Sequence, residues 1–221
     1  MIAKVAEKKQ EAPVELKLDL GCGMNCRDGF VGVDRRAFND KVKGITDLSK
    51  LWWCFKDWPT DDMPPFLELD SGGQYRFRDS SVTEVHCSHF LEHLNHNAAD
   101  PARARFMNEL YRVLVPGGKA TIITPHWASN RAYGDFTHAD KPVSEMFYYY
   151  LNSQWRKANA PDNDIEWNPD GYACDFDCTW GYGMHEQIIA RNSEYQNFAM
   201  TWYKEACQDL HCTAVSRKKS E

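Results

Sequence analysis

The sequence predicts an α/β fold: a doubly wound, mostly parallel sheet with helices on both faces, layered as a three-layer sandwich. Three observations carry this. First, Val14 to Leu20 reads as a strand that runs into Gly21-Cys22-Gly23, and a second strand from Phe30 to Val33 ends in Asp34. A strand, a glycine turn and a second strand tipped by an acid form the start of a nucleotide-binding βαβ unit. Second, Phe106, Met107, Leu110, Val113 and Leu114 repeat at helical spacing, and Pro116-Gly117-Gly118 then leads into an apolar strand, Lys119 to Thr124. Third, at 221 residues the chain suits one α/β unit. We expect a polar leader over 1–13 and a single domain over 14–221.

The first strand alternates Val14, Leu16, Leu18 and Leu20 with Glu15, Lys17 and Asp19. A central parallel strand is usually apolar on both faces, so its polar face should be thinly covered. Glycine at 21 and 23 lets the backbone turn sharply and lets a ligand come close. Asp34 is placed to accept hydrogen bonds from a ribose diol, so the ligand should contain a nucleoside. Only Met24 to Val33 lies between Gly23 and Asp34, too little for a full crossover helix. The first crossover helix should therefore be short or absent. Cys26 stands where a third glycine would complete the dinucleotide fingerprint, which argues against a nicotinamide enzyme.

Residues 39–66 read as an aromatic insertion around Trp52, Trp53, Phe55 and Trp58, packed on the core or forming part of a lid. Phe66 to Asp70 reads as a short strand, and Val82 to Cys87 as the fourth strand. Ligands of open α/β sheets bind beyond the carboxyl ends of the strands, which places Cys87, Ser88 and His89 at the border of the nucleoside ligand. Asp100-Pro101 starts the next helix, with the acid as cap. Pro142 to Trp155 reads as one helix, and Cys174 to Tyr182 as the sixth strand. Ser193 and Gln196 form a capping box, and Tyr195, Phe198, Ala199, Trp202 and Ala206 supply the buried face of the last helix. Leu210 to Ser216 closes the sheet.

Asp19-Leu20-Gly21-Cys22-Gly23 with Asp34, then SHFLEHL (Ser88 to Leu94), then RVLVPGGKATIITP (Arg112 to Pro125) together resemble the class I S-adenosylmethionine-dependent methyltransferases. Within that family the chain resembles the type 11-like group, with phage and metagenomic relatives. The resemblance implies a seven-stranded sheet whose last strand is antiparallel, and S-adenosylmethionine as cofactor. It also implies that Asp19, Gly21, Cys22, Gly23, Asp34, Ser88 and His89 surround that cofactor. In the family an acid after the third strand meets the adenine amino group. Asp70 is the candidate here, with Asp47 as rival.

The acceptor side should begin at Pro125 and fill 126–172. His126, Trp127, Arg131, Tyr133, Asp135, Thr137 and His138 crowd into PHWASNRAYGDFTH, just past the fifth strand. The stretch resembles a D-x-T-H element of some relatives. Methyl transfer to a hydroxyl or amine needs two aligned reactants and removal of one proton. His138 is the preferred base, with Asp135 orienting it or binding substrate, and His126 and His89 stand in reserve. The expected reaction is methyl transfer to a small-molecule O- or N-nucleophile. The rivals are a nucleotide-binding oxidoreductase and a non-catalytic cofactor-binding module. No Pro-Pro-aromatic element follows the fourth strand, where enzymes methylating nucleobase amines resemble one another.

Composition narrows the partners. The formal net charge is −6 and the basic residues are scattered, apart from Arg217-Lys218-Lys219, which disfavours nucleic acid. No run reaches the ~20 apolar residues of a membrane span. Without an apolar signal core at the start, a cytoplasmic protein is expected, so its 8 cysteines should be free thiols. The gaps Cys22 to Cys26 and Cys174 to Cys178 do not fit a zinc knuckle. His86, His89, His93 and His96 would share one stripe if their segment were helical. The resemblance accounts for Glu92-His93 as a recurring element, so no metal is expected. Oligomeric state is left open.

Overall fold

The computed structural model describes residues 15–23, 27–34, 54–55, 67–69, 75–139 and 141–220. The strands are β1 Lys17–Leu20, β2 Val31–Asp34, β3 Cys54–Phe55, β4 Leu67–Leu69, β5 Tyr75–Phe77, β6 Val82–Ser88, β7 Leu114–Pro125, β8 Phe176–Met184 and β9 Cys207–Ser216. The helices are α1 Ala102–Val113, α2 Arg131–Gly134, α3 Glu145–Tyr149, α4 Ser153–Asn159, α5 Glu186–Ile189 and α6 Ser193–Trp202. The main sheet has seven strands in the order β3-β2-β1-β6-β7-β9-β8. β2, β1, β6 and β7 are mutually parallel, and β9 runs antiparallel to β7 and to β8. The order reverses at β1, where the chain runs outward to β2 and later crosses back to β6. That reversal opens the crevice in which α/β sheets bind ligands.

The doubly wound α/β sheet with its antiparallel last strand is as expected, and the described residues between β1 and β2 form only turns. Several local expectations need correction. The polar face of β1 is thinly covered at Glu15, which is exposed, and at Lys17, which bridges to Glu84 of β6 at 3.1 Å, but not at Asp19, which is 3% exposed. The strand expected over Phe66 to Asp70 exists as β4, but it pairs with β5 in a separate two-stranded sheet. The third strand of the main sheet is β3, antiparallel to β2.

α1 buries Ala104, Phe106, Met107, Leu110 and Val113 against the sheet. Asp100 does not cap it: its carboxylate takes Asn95 Nδ2 at 2.7 Å and the guanidinium of Arg105. β7 starts directly after α1, with Leu114 opposite Val82, and the register then slips so that Lys119 faces Glu84. Pro116-Gly117-Gly118 therefore forms a bulge inside the strand. Proline has no N–H to lose there, and Gly117 supplies a φ of +71°.

The helix expected over Pro142 to Trp155 breaks into α3 and α4, because the Asn152 side chain accepts Trp155 N at 3.0 Å and starts a new helix. The cap of α6 is Asn192, not Ser193, and Gln196 reaches the carbonyls of Ile189 and Arg191. Of the face expected to be buried, only Ala199 on α6 is buried; Phe198 is 50% and Trp202 71% exposed.

Candidate active site

The glycine turn lies at the reversal. Gly21 N donates to Val33 O at 2.8 Å and Gly23 N to Asp34 Oδ2 at 2.9 Å, so the ends of β1 and β2 hold the turn between them. A Cβ at Gly21 would sit 2.9 Å from Phe90 Cβ on a backbone with φ +70°. Glycine there is required by the chain's own packing, where the sequence suggested ligand approach. At Gly23 a Cβ would meet nothing within 4 Å, which leaves open space against the turn. Cys22 is partly exposed between them, its thiol at 3.6 Å from Gly23 O.

Asp19 does not face solvent. Its Oδ2 accepts Arg27 N at 2.7 Å and its Oδ1 meets His86 Nδ1 at 2.9 Å, so it braces the loop that follows the turn. Ser88 ends β6 half-buried, and His89 follows with φ +54°, a left-handed backbone that a non-glycine residue holds at some strain. Its amide donates to Ile123 O at 2.8 Å, and its imidazole is exposed. Cys87, expected beside them, is fully buried in the core, where burial pushes its thiol well up. Asp47 and Asp70 lie outside the described residues.

The histidines from 86 to 96 do not share a stripe, because β6 is extended and only Leu91–His93 form a 3-10 turn. His86 is paired with Asp19. His96 packs edge-on against Phe147 at 5.5 Å, and burial, aided by Arg103 and Lys141, lowers it to about 4. The 3-10 turn is held from outside. Buried Arg103 of α1 donates through Nε to Leu91 O at 3.1 Å and through Nη2 to Glu92 O at 3.4 Å. Ala139 N donates to the same Glu92 carbonyl at 2.8 Å. The segment after β7 is thereby tied to the segment after β6.

On that second segment His126 is 2% exposed with both ring nitrogens used: Ala128 N donates to Nδ1 at 3.2 Å, and Nε2 meets Glu145 Oε1 at 3.0 Å. Desolvation pushes the Glu145 carboxyl up, but the His126 bond prevails and brings it down to about 2. Trp127 Nε1 donates to the other Glu145 oxygen at 3.2 Å. Arg131 forks onto Asp209 at 2.9 and 3.0 Å, and Asp209 approaches His89 Nε2 at 4.0 Å. Asp135 accepts the amide of Thr137 at 2.8 Å and its hydroxyl at 2.7 Å, which hold its carboxyl below the usual range. His138 is nearly buried. Its Nδ1 lies 3.2 Å from Ala132 O, its Nε2 4.0 Å from Asp135, and its ring meets that of His93 at 4.8 Å between centroids.

The fold thus brings Gly21, Gly23, Asp34, Ser88 and His89 to one edge of the sheet, with His138, Asp135 and Glu92-His93 beside them. His126 is taken out of the site by Glu145. Sequence reasoning missed Arg103, Glu145 and Asp209. Arg103 carried a signal, since it falls on the apolar stripe of α1 one turn before Phe106 and Met107. Glu145 and Asp209 carried none, because their partners are distant in sequence.

A family model described as a methyltransferase domain matches residues 59–122, the segment that contains β6, α1 and most of β7. That segment of the chain is thus similar to a methyltransferase domain, and its strands β6 and β7 lie at the centre of the sheet. The chain is similar to a solved S-adenosylmethionine-dependent methyltransferase from Archaeoglobus fulgidus (16% identity, 91% of this chain and 86% of that one, TM-score 0.46). It is also similar to a chain in the complex of a Haloferax volcanii methyltransferase activator (14% identity, 96% and 87% covered, TM-score 0.44). No curated protein matches. Among the described residues no helix is long and apolar enough to cross a membrane.

Proposed function

We propose that the chain transfers the methyl group of S-adenosylmethionine to a small-molecule O- or N-nucleophile, with His138 assisting proton removal. The observation that supports this most is the pairing of the open glycine turn with a histidine wall at the same sheet edge. Gly23 leaves room against the turn, and the Asp34 carboxylate stands at the tip of β2 beside it, holding the Gly23 amide. Asp34 would hold the ribose diol, Gly21 to Gly23 the amino-acid end, and Ser88 and His89 the near side. Asp19 acts one step back, by fixing Arg27. The cofactor supplies an electrophilic methyl on a sulfonium. This chain's part is to align the acceptor and take up its proton.

His138 suits that part because its Nδ1–H is spent on the Ala132 carbonyl, which leaves Nε2 as the nitrogen with a lone pair. Asp135 orients Thr137 and stands beside it. The test is incubation of the purified chain with labelled S-adenosylmethionine and a fractionated metabolite extract, followed by mass spectrometry. A metabolite that gains one methyl group with wild type and far less with His138→Ala supports the reading. Tight cofactor binding with no methylated product in any fraction would mark a non-catalytic binding module instead.

A further inference from the structure

Glu92 is buried, its side chain 5% exposed, yet neither carboxylate oxygen has a well-formed hydrogen bond. His89 Nδ1 stands 3.4 Å from Oε1, a long hydrogen-bonding contact that raises the His89 imidazole. Arg103, a buried cation on α1, donates to the carbonyls of Leu91 and Glu92 and not to the carboxylate. An ionised carboxylate removed from water with only one long contact is unfavourable. The fold nevertheless fixes this one in place through the Arg103 and Ala139 bonds to its own backbone.

Besides His89, the imidazoles of His93 and His138 stand near that carboxylate. One oxygen of Glu92 and one nitrogen each of His93 and His138 lie within 4.8 Å of one another. Both rings are oriented by their other nitrogen. His138 Nδ1 faces the Ala132 carbonyl at 3.2 Å, and His93 Nδ1 faces the Thr137 carbonyl at 3.2 Å. A carbonyl can only accept, so both Nδ1 atoms carry the hydrogen and both Nε2 atoms keep their lone pairs. Thr137 is itself fixed by Asp135. A ring N–H donated to a backbone carbonyl, which leaves the opposite nitrogen for the ion, is how metal-ligating histidines are held.

We propose that Glu92, His93 and His138 bind one divalent first-row transition-metal cation. Two imidazoles and a carboxylate suit such ions better than magnesium or calcium, which favour all-oxygen sets. Metal bonds of ~2.0–2.2 Å put ligand atoms roughly 3.4 Å apart, so the cluster must close by up to about 1.4 Å. His93 is exposed, and it would make that movement together with Thr137, to which its Nδ1 is bonded. This departs from the sequence expectation of no metal: the structure adds His138, which no spacing rule connects to Glu92.

The site also deepens the methyl-transfer reading, and rests on it in this respect only. Phe90, next to the 3-10 turn, packs against Gly21, so the ion would lie beside the cofactor turn with coordination positions left for an acceptor oxygen. A bound cation lowers the pKa of such an oxygen. The acceptor's O–H bond would break, its proton pass to solvent, and the oxygen take the methyl as the sulfonium becomes a thioether. His138 would then assist as a ligand.

The experiment strips the full chain with EDTA and titrates it with Co²⁺ and Zn²⁺ by calorimetry and visible absorption. S-adenosylhomocysteine affinity is measured in parallel. One Co²⁺ per chain with a d–d band is expected, weakened by more than ~100-fold in Glu92→Gln, His93→Gln and His138→Gln and unchanged in the remote His185→Gln. Wild type without stoichiometric binding, or His93→Gln and His138→Gln that bind like wild type, would overturn the proposal. Because His93 is exposed, its variant tests the site even if Glu92→Gln fails to fold. Metal binding without S-adenosylhomocysteine binding would overturn the methyl-transfer reading and leave the ion site standing; the reverse would do the opposite.

Discussion

His126 and His138 stand on the same segment past β7, each beside a glutamate, and they differ in whether that glutamate is satisfied. Glu145 holds His126 with one oxygen and Trp127 with the other, and His126 has no nitrogen left. Glu92 has two buried oxygens with only a long contact to His89 at 3.4 Å, and His138 keeps Nε2. A closed set of hydrogen bonds fixes structure, and an open one keeps the capacity to bind. Residue type alone, which is what a sequence displays, does not separate the two.

The largest expected effect breaks the open side. His138→Ala should lower turnover by about 10²–10⁴-fold with cofactor affinity nearly intact, measured by methyl-transfer kinetics and calorimetry. His126→Ala should instead lower the melting temperature and change turnover little at a temperature where it stays folded. If His126→Ala proves the slower enzyme, the comparison is inverted.

Next comes the support of the open side. Arg103→Met would leave the Leu91 carbonyl with only the Leu94 amide and the Glu92 carbonyl with only the Ala139 amide, at about 1.5–3 kcal/mol for the lost charged-donor hydrogen bonds, read by denaturant unfolding. The closed side is sharpened by acid. Because the folded Glu145 carboxyl sits at about 2, below its ordinary 4.5, its contribution is present above pH 4.5 and is lost as pH falls towards 2. Tyr182 and Cys207 also face it. Glu145→Gln should destabilise at neutral pH by about 1.5–3 kcal/mol and flatten that stretch of the stability profile. The smallest effect is Asp135→Asn: stability within about 0.5 kcal/mol, as for an exposed residue, and a smaller loss of turnover than His138→Ala.

The parallel strands, the glycine turn and α1 were legible because their signals are local, namely alternation, a turn dipeptide and a stripe. The last helix misled because its aromatic residues, Phe198 and Trp202, repeat at helical spacing without an element to cover them. The break at Asn152 was readable from a strong capping residue in the middle of an apolar run. The site was half legible. Gly21, Gly23 and Asp34 lie in one continuous stretch, whereas the meeting of Glu92 with His138 depends on Ala139 reaching the Glu92 carbonyl across two connections. Asp19 shows the same limit, since its partners Arg27 and His86 are set by loop and sheet register.

The most direct test of the account is calorimetric titration of the wild-type chain and of Asp34→Ala with S-adenosylmethionine and with NAD. The account predicts saturable binding of S-adenosylmethionine alone, weakened about tenfold or more in Asp34→Ala, as fits loss of an acceptor worth about 1.5–3 kcal/mol. Wild type that binds NAD and not S-adenosylmethionine, or equal S-adenosylmethionine affinity in Asp34→Ala, would contradict it.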